Sequence, residues 1–234
     1  MIGTPRLHLR SVDSTNVRAQ ALAREGAPHG TLVTAAEQTA GHGRQGRAWF
    51  APPGRALLCS LVLRDPPRLL PMLAALAVAE VAEALDADAR AALVKWPNDV
   101  LLEGRKVAGI LAEGRPQEGW VVLGIGLDVA IPADAFPPEL AAVATTLGRE
   151  PRDVERALAL LLPALERWLA APEAEAIDAY RARDALSGRT ISWSDGQGTA
   201  AGIGDDGRLR VERADGEVVW LDAGEVHLGA SAGG

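Results

Sequence analysis

A chain of 234 residues, 48% of them hydrophobic, holds enough apolar material for one large domain and a small appended one. Its net charge of −7 argues against a general nucleic-acid binder, which needs a basic face. Cys59 is the single cysteine; it excludes an internal disulfide, and the apolar run over 57–63 marks it as a small buried hydrophobe.

Arg6, His8 and Arg10 interrupt any apolar start, so no signal peptide is expected. Residues 6–13 read as a short strand. A helix follows from Asp13 or Ser14, both suited to an N-cap, with Val17, Ala21 and Leu22 on one stripe and Gly26 at its stop. Residues 31–36 form an apolar strand that runs into a Gly/Arg-rich loop over 41–47, which has no periodicity and is expected to be mobile. Residues 56–63 are a further strand, and 66–87 a helix. The Ala/Leu run inside that helix carries Glu80 and Glu83 and is no membrane span. A cytoplasmic protein with no membrane partner is expected.

Strands over 93–96, 100–103, 107–113 and 120–130 follow, joined by short turns. A helical stretch covers 151–186, with a break near Pro172. Strands and helices do not alternate regularly, so the fold class is α+β. From Gly188 short strands over 189–194, 198–204, 208–213 and 218–222 are separated by Asp-Gly and Gly turns, the pattern of a small β-barrel. From Leu186 onward four arginines stand against eight acids, the wrong sign for binding nucleic acid. The domain expectation is 1–186, 187–229 and a frayed tail over 230–234.

Of the 24 basic residues only Lys95 and Lys106 are lysines. They bracket one hairpin, and a lysine is a compact point charge that an arginine does not replace. The loop from Gly41 to Gly46 matches G-x-G-x-x-G, but Pro52 and Pro53 follow where a dinucleotide site needs a helix. A loop offering backbone N–H groups with Arg44 and Arg47 for an anion remains, beside the plainer reading of a solvated turn. Residues 95–99, Lys-Trp-Pro-Asn-Asp, are a strand end and a turn. They put an amide able to read a purine edge and a carboxylate able to hold Mg²⁺ at the rim of a sheet. Gly109, Gly124 and Gly126 bare the backbone of two strands. His8, His29, His42 and His227 are scattered, and no Ser-His-Asp order, Cys-His pair or metal-ligand spacing emerges.

Taken together, Asp13-Ser14-Thr15-Asn16, the segment from Glu37 to Trp49, residues 95–100, residues 106–111 and residues 124–129 resemble, in order and spacing, the motifs of biotin–protein ligases. The segment from Gly188 is similar to their SH3-like C-terminal domain. The resemblance implies a core related to class II aminoacyl-tRNA synthetases, with biotin and ATP as substrates, Mg²⁺, and a biotin carboxyl carrier protein as acceptor. It implies biotin contacts from Ser14, Thr15, Asn16, Gln38, Gly41, His42, Gly43, Arg44, Lys106 and Gly109. Nucleotide contacts are implied for Arg44, Arg47, Trp49, Asn98, Lys106 and Asp128, a metal role for Asp99, and charge neutralisation at phosphorus for Lys106 and Arg44.

Two positions depart from the family pattern. His42 stands where arginine is common, and Asp128 where asparagine is usual; an ionised Asp accepts but cannot donate to a ring nitrogen. A lipoate–protein ligase or octanoyltransferase is the rival enzyme. A DNA-binding regulator is disfavoured because Ser14 follows so soon after Met1 that no helix-turn-helix module fits. A non-catalytic sensor would not need Lys106. The oligomeric state stays open, a homodimer being compatible with the sequence.

Overall fold

The structure, a computed structural model, describes residues 2–222, 224 and 226–228; the tail expected over 230–234 lies outside them. Strand β1 (Arg6–Leu9) leads to helix α1 (Thr15–Arg24), β2 (Leu32–Ala35), β3 (Ala56–Arg64) and helix α2 (Leu70–Leu85). Then come β4 (Ala92–Lys95), β5 (Asp99–Leu102), β6 (Arg105–Arg115) and β7 (Trp120–Asp128), a short helix α3 (Pro138–Ala141), and helices α4 (Asp153–Leu169) and α5 (Glu173–Ala182). Seven strands make one sheet in the order β1-β2-β3-β7-β6-β5-β4. β1 and β2 are parallel, joined through α1, and every other pair is antiparallel. The α+β expectation holds.

Local chemistry accounts for the element ends. α1 starts after Ser14, whose backbone is extended, and stops at Gly26 with φ +88°, where no Cβ penalty arises. The N-cap side chain, however, makes no capping bond, because Ser14 belongs to the site described below. β5 and β6 are joined by Glu103 and Gly104 at φ +50° and +76°, the pair of positive φ angles that a two-residue hairpin loop matched to strand twist requires.

The sheet has two different faces. In β3, Leu57, Cys59, Leu61 and Leu63 pack with Leu123, Ile125 and Leu127 of β7 under α2. The intervening Val62 and Val122 pack with Ala19 and Ala23 of α1 on the other side. α2 is apolar over most of its surface and is largely buried between the sheet and α4 with α5, with Glu80 and Glu83 at its partly exposed side. α4 buries Ala157, Leu158, Leu161, Ala164, Leu165 and Trp168, a single helical stripe.

The C-terminal strands β8 (Thr190–Trp193), β9 (Gly196–Ile203), β10 (Leu209–Glu212), β11 (Val218–Leu221) and β12 (His227–Leu228) form a separate antiparallel sheet in the order β11-β10-β9-β8-β12. The small all-β unit is therefore there, but no closed barrel forms among the described residues: two-residue β12 pairs with β8 and leaves β11 at the opposite edge. The unit is pinned to the main domain by its β9–β10 turn. Trp96 Nε1 donates to Gly207 O at 3.1 Å, Arg181 Nε to Ile203 O at 2.8 Å, and Arg68 to Asp206 O. Gly207 holds φ +82°, and a methyl group there would lie 2.6 Å from Leu69 Cδ2.

Leu76 on α2 is fully buried, while Leu93 on β4 is 40% exposed. Leu76→Ala is expected to cost about 2–5 kcal/mol and Leu93→Ala well under half of that, measured from urea-unfolding midpoints at unchanged slope.

Candidate active site

Strand alternation assembles the site. On β7 the residues facing away from α2 are Gly124, Gly126 and Asp128, and their ladder partners are Ser60, Leu58 and Ala56 on β3. On the other flank Leu111 opposes Gly124 and Gly109 opposes Gly126. This row forms the floor of a cavity of about 300 Å³. From Gly124 to Asp128 it runs about 13 Å at the usual rise per strand residue.

One end of the cavity is neutral and densely hydrogen-bonded. The parallel pairing of β1 and β2 continues past the strands: Thr39 N donates to Val12 O at 2.8 Å and Ala40 N to Asp13 O at 2.9 Å, which zips Gln38 against the start of α1. Thr15 N and Oγ1 both donate to Gln38 Oε1, at 2.7 and 2.9 Å. That double capture turns the Gln38 amide nitrogen towards Gly41, where a methyl group would lie 2.7 Å from Nε2. The Ser60 hydroxyl lies 2.8 Å from Thr15 Oγ1 and 2.6 Å from Asn16 Oδ1. Asn16 Nδ2 in turn donates to Glu113 Oε2 at 2.9 Å, joined there by Gln20 Nε2 at 3.2 Å. A Cβ on Gly124 would sit 2.1 Å from Asn16 Oδ1, so only glycine permits this approach.

The centre is cationic, and a β-bulge makes it so. β5 pairs Asp99 with Gly109 and Val100 with Ala108, then slips so that Leu101 faces Lys106. Val107 is the extra residue, fully buried in the core under α2. Lys106 is an odd number of residues from Gly109 and would otherwise point at α2; the bulge re-aims it into the pocket. Its Nζ lies 2.6 Å from Asp99 Oδ1 and 5.5 Å from the centre of the Trp49 ring. Lys95, the ladder partner of Asp99, lines the same cavity with Arg44 and Arg47. Burial lowers the Lys95 pKa, helped by Lys106 and Arg47 and opposed by Asp99. Burial also lowers that of Arg44, opposed by Asp99 and aided by Arg47. Among the described lining residues, Lys95, Lys106, Arg44 and Arg47 outnumber the carboxyl groups of Asp99 and Asp128, an arrangement that receives anions.

The loop over 41–47, expected to lack regular structure, is a small hairpin. His42 bridges Ala48, Gly43 N donates to Arg47 O at 2.7 Å, and a 3₁₀ turn over Arg44–Gly46 closes the tip with Gln45 at φ +56°. Arg44 Nη1 donates to Asn98 Oδ1 at 3.3 Å, and Asn98 Nδ2 to Ile110 O at 2.7 Å. The Asn98 amide is thus engaged on both sides. His42 Nε2 lies 3.7 Å from Glu113 Oε2. The Trp49 ring lies flat on the glycine floor: a methyl group on Gly126 would meet Cε2 at 2.6 Å, and one on Gly109 would meet Cζ3 at 3.0 Å.

The other end carries Asp128 among apolar surface from Phe136, Leu140 and Val143, with Phe50 tilted against Phe136 at 6.1 Å. Val226 and Gly224 of the C-terminal unit reach the same cavity.

The pocket wall therefore collects Ser14, Thr15, Asn16, Gln38, His42, Gly43, Arg44, Arg47, Trp49, Asn98, Asp99, Lys106, Gly109 and Asp128, all anticipated from sequence. Gly41 is not part of the wall and packs behind Gln38. Ser60 and Glu113 were missed. Ser60 is one hydroxyl in an apolar strand and Glu113 one acid in a strand, so a buried polar group was the available signal. Phe136, Leu140 and Val143, on and around the short helix α3, left none, since scattered apolar residues are ordinary. Among the described residues no three His, Cys, Asp or Glu side chains cluster to hold a metal by themselves.

Comparison with known proteins agrees with this geometry. The model of the biotin/lipoate A/B protein ligase family matches residues 9–129, and that of the biotin protein ligase C-terminal domain matches 188–229. The chain belongs to the biotin/lipoate A/B protein ligase family. The biotin--[acetyl-CoA-carboxylase] ligase of Paracoccus denitrificans is 36% identical over 94% of this chain and 99% of that one. The bifunctional ligase/repressor BirA of Bacillus spizizenii is 39% identical over 64% of this chain, a match that spans 48% of its own length; the chain thus covers about half of that relative. The solved biotin protein ligase of Aquifex aeolicus in complex with biotin and ATP superposes with a TM-score of 0.80 at 26% identity, over 97% of this chain and 100% of that one.

Ser60 is fully buried. Ser60→Ala is expected to leave Thr15 or Asn16 short of a partner and to cost about 1–3 kcal/mol, read from the urea midpoint, while Ser60→Thr retains the hydroxyl and recovers part of the loss.

Proposed function

We propose that this protein joins biotin to a lysine of a biotin carboxyl carrier protein, using ATP and passing through biotinyl-5′-AMP. One observation carries the reading: one cavity that brings together neutral hydrogen-bonding groups, a cluster of cations and an apolar surface around Asp128, on a floor kept bare by Gly109, Gly124 and Gly126. The biotin ureido ring is neutral and needs both donors and acceptors; Ser14, Thr15, Asn16 and Gln38 offer both. Its carboxylate and the triphosphate need cations, which Arg44, Arg47, Lys95 and Lys106 provide. The adenine takes the end with Asp128.

The chemistry asks little of the protein beyond alignment. A biotin carboxylate oxygen attacks the α-phosphorus of ATP, the bond to the bridging oxygen of the β-phosphate breaks, and pyrophosphate leaves with that electron pair. Lys106 and Arg44 neutralise charge developing at phosphorus. A neutral lysine amine of the acceptor then attacks the acyl carbon, AMP leaves, and the amine loses its proton. The acid is its own nucleophile, so the scattered histidines and buried Cys59, its thiol pushed up to about 12 by burial, have no covalent role. The hairpin over 41–47 covers the mixed anhydride against water.

Mg²⁺ fits as a phosphate-borne ion: such an ion keeps several waters and needs one or two carboxylates, and Asp99, at the cation cluster 2.6 Å from Lys106, would be the carboxylate to hold it. It would supply further charge neutralisation at the phosphates. No helix among the described residues is long and apolar enough to cross a membrane.

ATP–pyrophosphate exchange with biotin, lipoate and octanoate as alternative acids tests the reading. Exchange with biotin alone supports it; exchange with lipoate or octanoate alone overturns the substrate, and exchange with none overturns the ligase. Lys106→Ala is expected to lower biotin-dependent exchange by about 10²–10³. Arg44→Gly should release the adenylate faster than the wild type, measured by filter-binding of labelled intermediate.

A further inference from the structure

Asp128 is out of character for its place. It is 4% exposed on the wall of a ligand cavity, and its Oδ1 is buried without a hydrogen-bond partner. Trp49 Nε1, buried over Gly126 in the same cavity, makes no hydrogen bond to it, and the charged group that bears on it and the polar side chains of the adjoining segments are engaged elsewhere. From β6 comes Lys106, already bound to Asp99 at 2.6 Å. From the edge of β3 comes Arg55, whose Nη1 donates to Ala130 O at 3.2 Å. From the segment after α3 comes Thr146, whose hydroxyl donates to the main-chain oxygen of Asp128 at 3.3 Å. The β3 ladder partner, Ala56, has nothing to titrate. A buried carboxylate with neither cation nor donor of its own is an unfavourable species, and the ordinary resolution is to keep its proton.

Resting on the ligase reading above, we propose that Asp128 recognises the adenine edge of ATP as a protonated carboxyl, its O–H donating to a ring nitrogen and its C=O accepting from the exocyclic amine. The chemistry of the two charge states separates the alternatives. A carboxylic acid presents one donor and one acceptor, as an amide does, and adenine presents an amine beside a lone pair. A carboxylate presents two acceptors; it sets lone pair against lone pair on adenine and suits guanine, whose ring N–H and amine both donate. Burial holds the Asp128 carboxyl well above the usual carboxylate range, with Lys106 pulling it down by less. Phe136, Leu140 and Val143 give the same pocket the apolar surface a planar base requires. The departure from asparagine at this position thus conserves the hydrogen-bonding pattern and adds a dependence on pH.

The test uses the full chain with biotin and α,β-methylene-ATP, whose α–β bridge cannot be cleaved, and compares wild type with Asp128→Asn. At neutral pH the infrared spectrum of the wild-type complex is expected to contain a protonated-carboxyl C=O band that the variant lacks. The wild type should prefer the ATP analogue to α,β-methylene-GTP. On the alkaline side its affinity should fall relative to the variant by about tenfold per pH unit once Asp128 ionises, because the competent fraction falls at that rate. Absence of the band with binding intact, or preference for the guanine analogue, overturns the inference alone. If neither protein binds the nucleotide analogue with biotin present, the ligase reading falls and this inference with it.

Discussion

The site depends on β7 being a strand whose two faces do opposite work. Leu123, Ile125 and Leu127 enter the core beneath α2, while Gly124, Gly126 and Asp128 face the cavity between α1 and the 41–47 hairpin. The apolar face anchors the strand on both flanks through β3 and β6, so the polar face inherits a rigid position without needing stabilising contacts of its own. Glycine on that face removes side chains where Asn16 and Trp49 must come close. Core and site are therefore the two sides of one element.

Burial then sets the electrostatics. The same desolvation lowers the pKa of Lys95 and Arg44 and raises that of Asp128, in each case disfavouring the charged form. In a chain of net charge −7, the basic side chains collected at this cavity outnumber its described carboxylates, and a fixed arrangement of that sign is preorganised to receive an anion. The Lys106–Asp99 pair, with both side chains partly exposed, holds the lysine in place without extinguishing that field.

Much of this was legible in the amino-acid sequence where the signal is local. The cap and stop of α1 at Ser14 and Gly26, the β5–β6 hairpin and the apolar α2 follow from residues within a few positions of one another. The motif residues could be named because their order and spacing were distinctive, and all but Gly41 line one cavity. What escaped was long-range. Ser60 matters because Thr15 and Asn16 come to it from 45 and 44 residues away. Glu113 is recruited by Asn16 across 97 residues. The open form of the C-terminal sheet turns on a two-residue strand, β12, too short to register as a pattern. The charge state of Asp128 is a property of its surroundings, which no reading of composition supplies.

The bulge at Val107 carries a consequence for how such a site tolerates change over time. Every residue of the segment over 106–111 could be retained and the cation still lost, because the direction in which Lys106 points is fixed by whether an odd or even number of residues separates it from Gly109 along the ladder. Regular pairing with all residues retained would turn the ammonium into the apolar layer under α2, whereas loss of the bulged residue itself would leave the lysine two positions from Gly109 and still facing the cavity. For this strand, pairing register is inherited alongside identity: the bulge and the spacing from Lys106 to Gly109 can change only together, and a substitution count alone would misjudge how far two such chains have diverged.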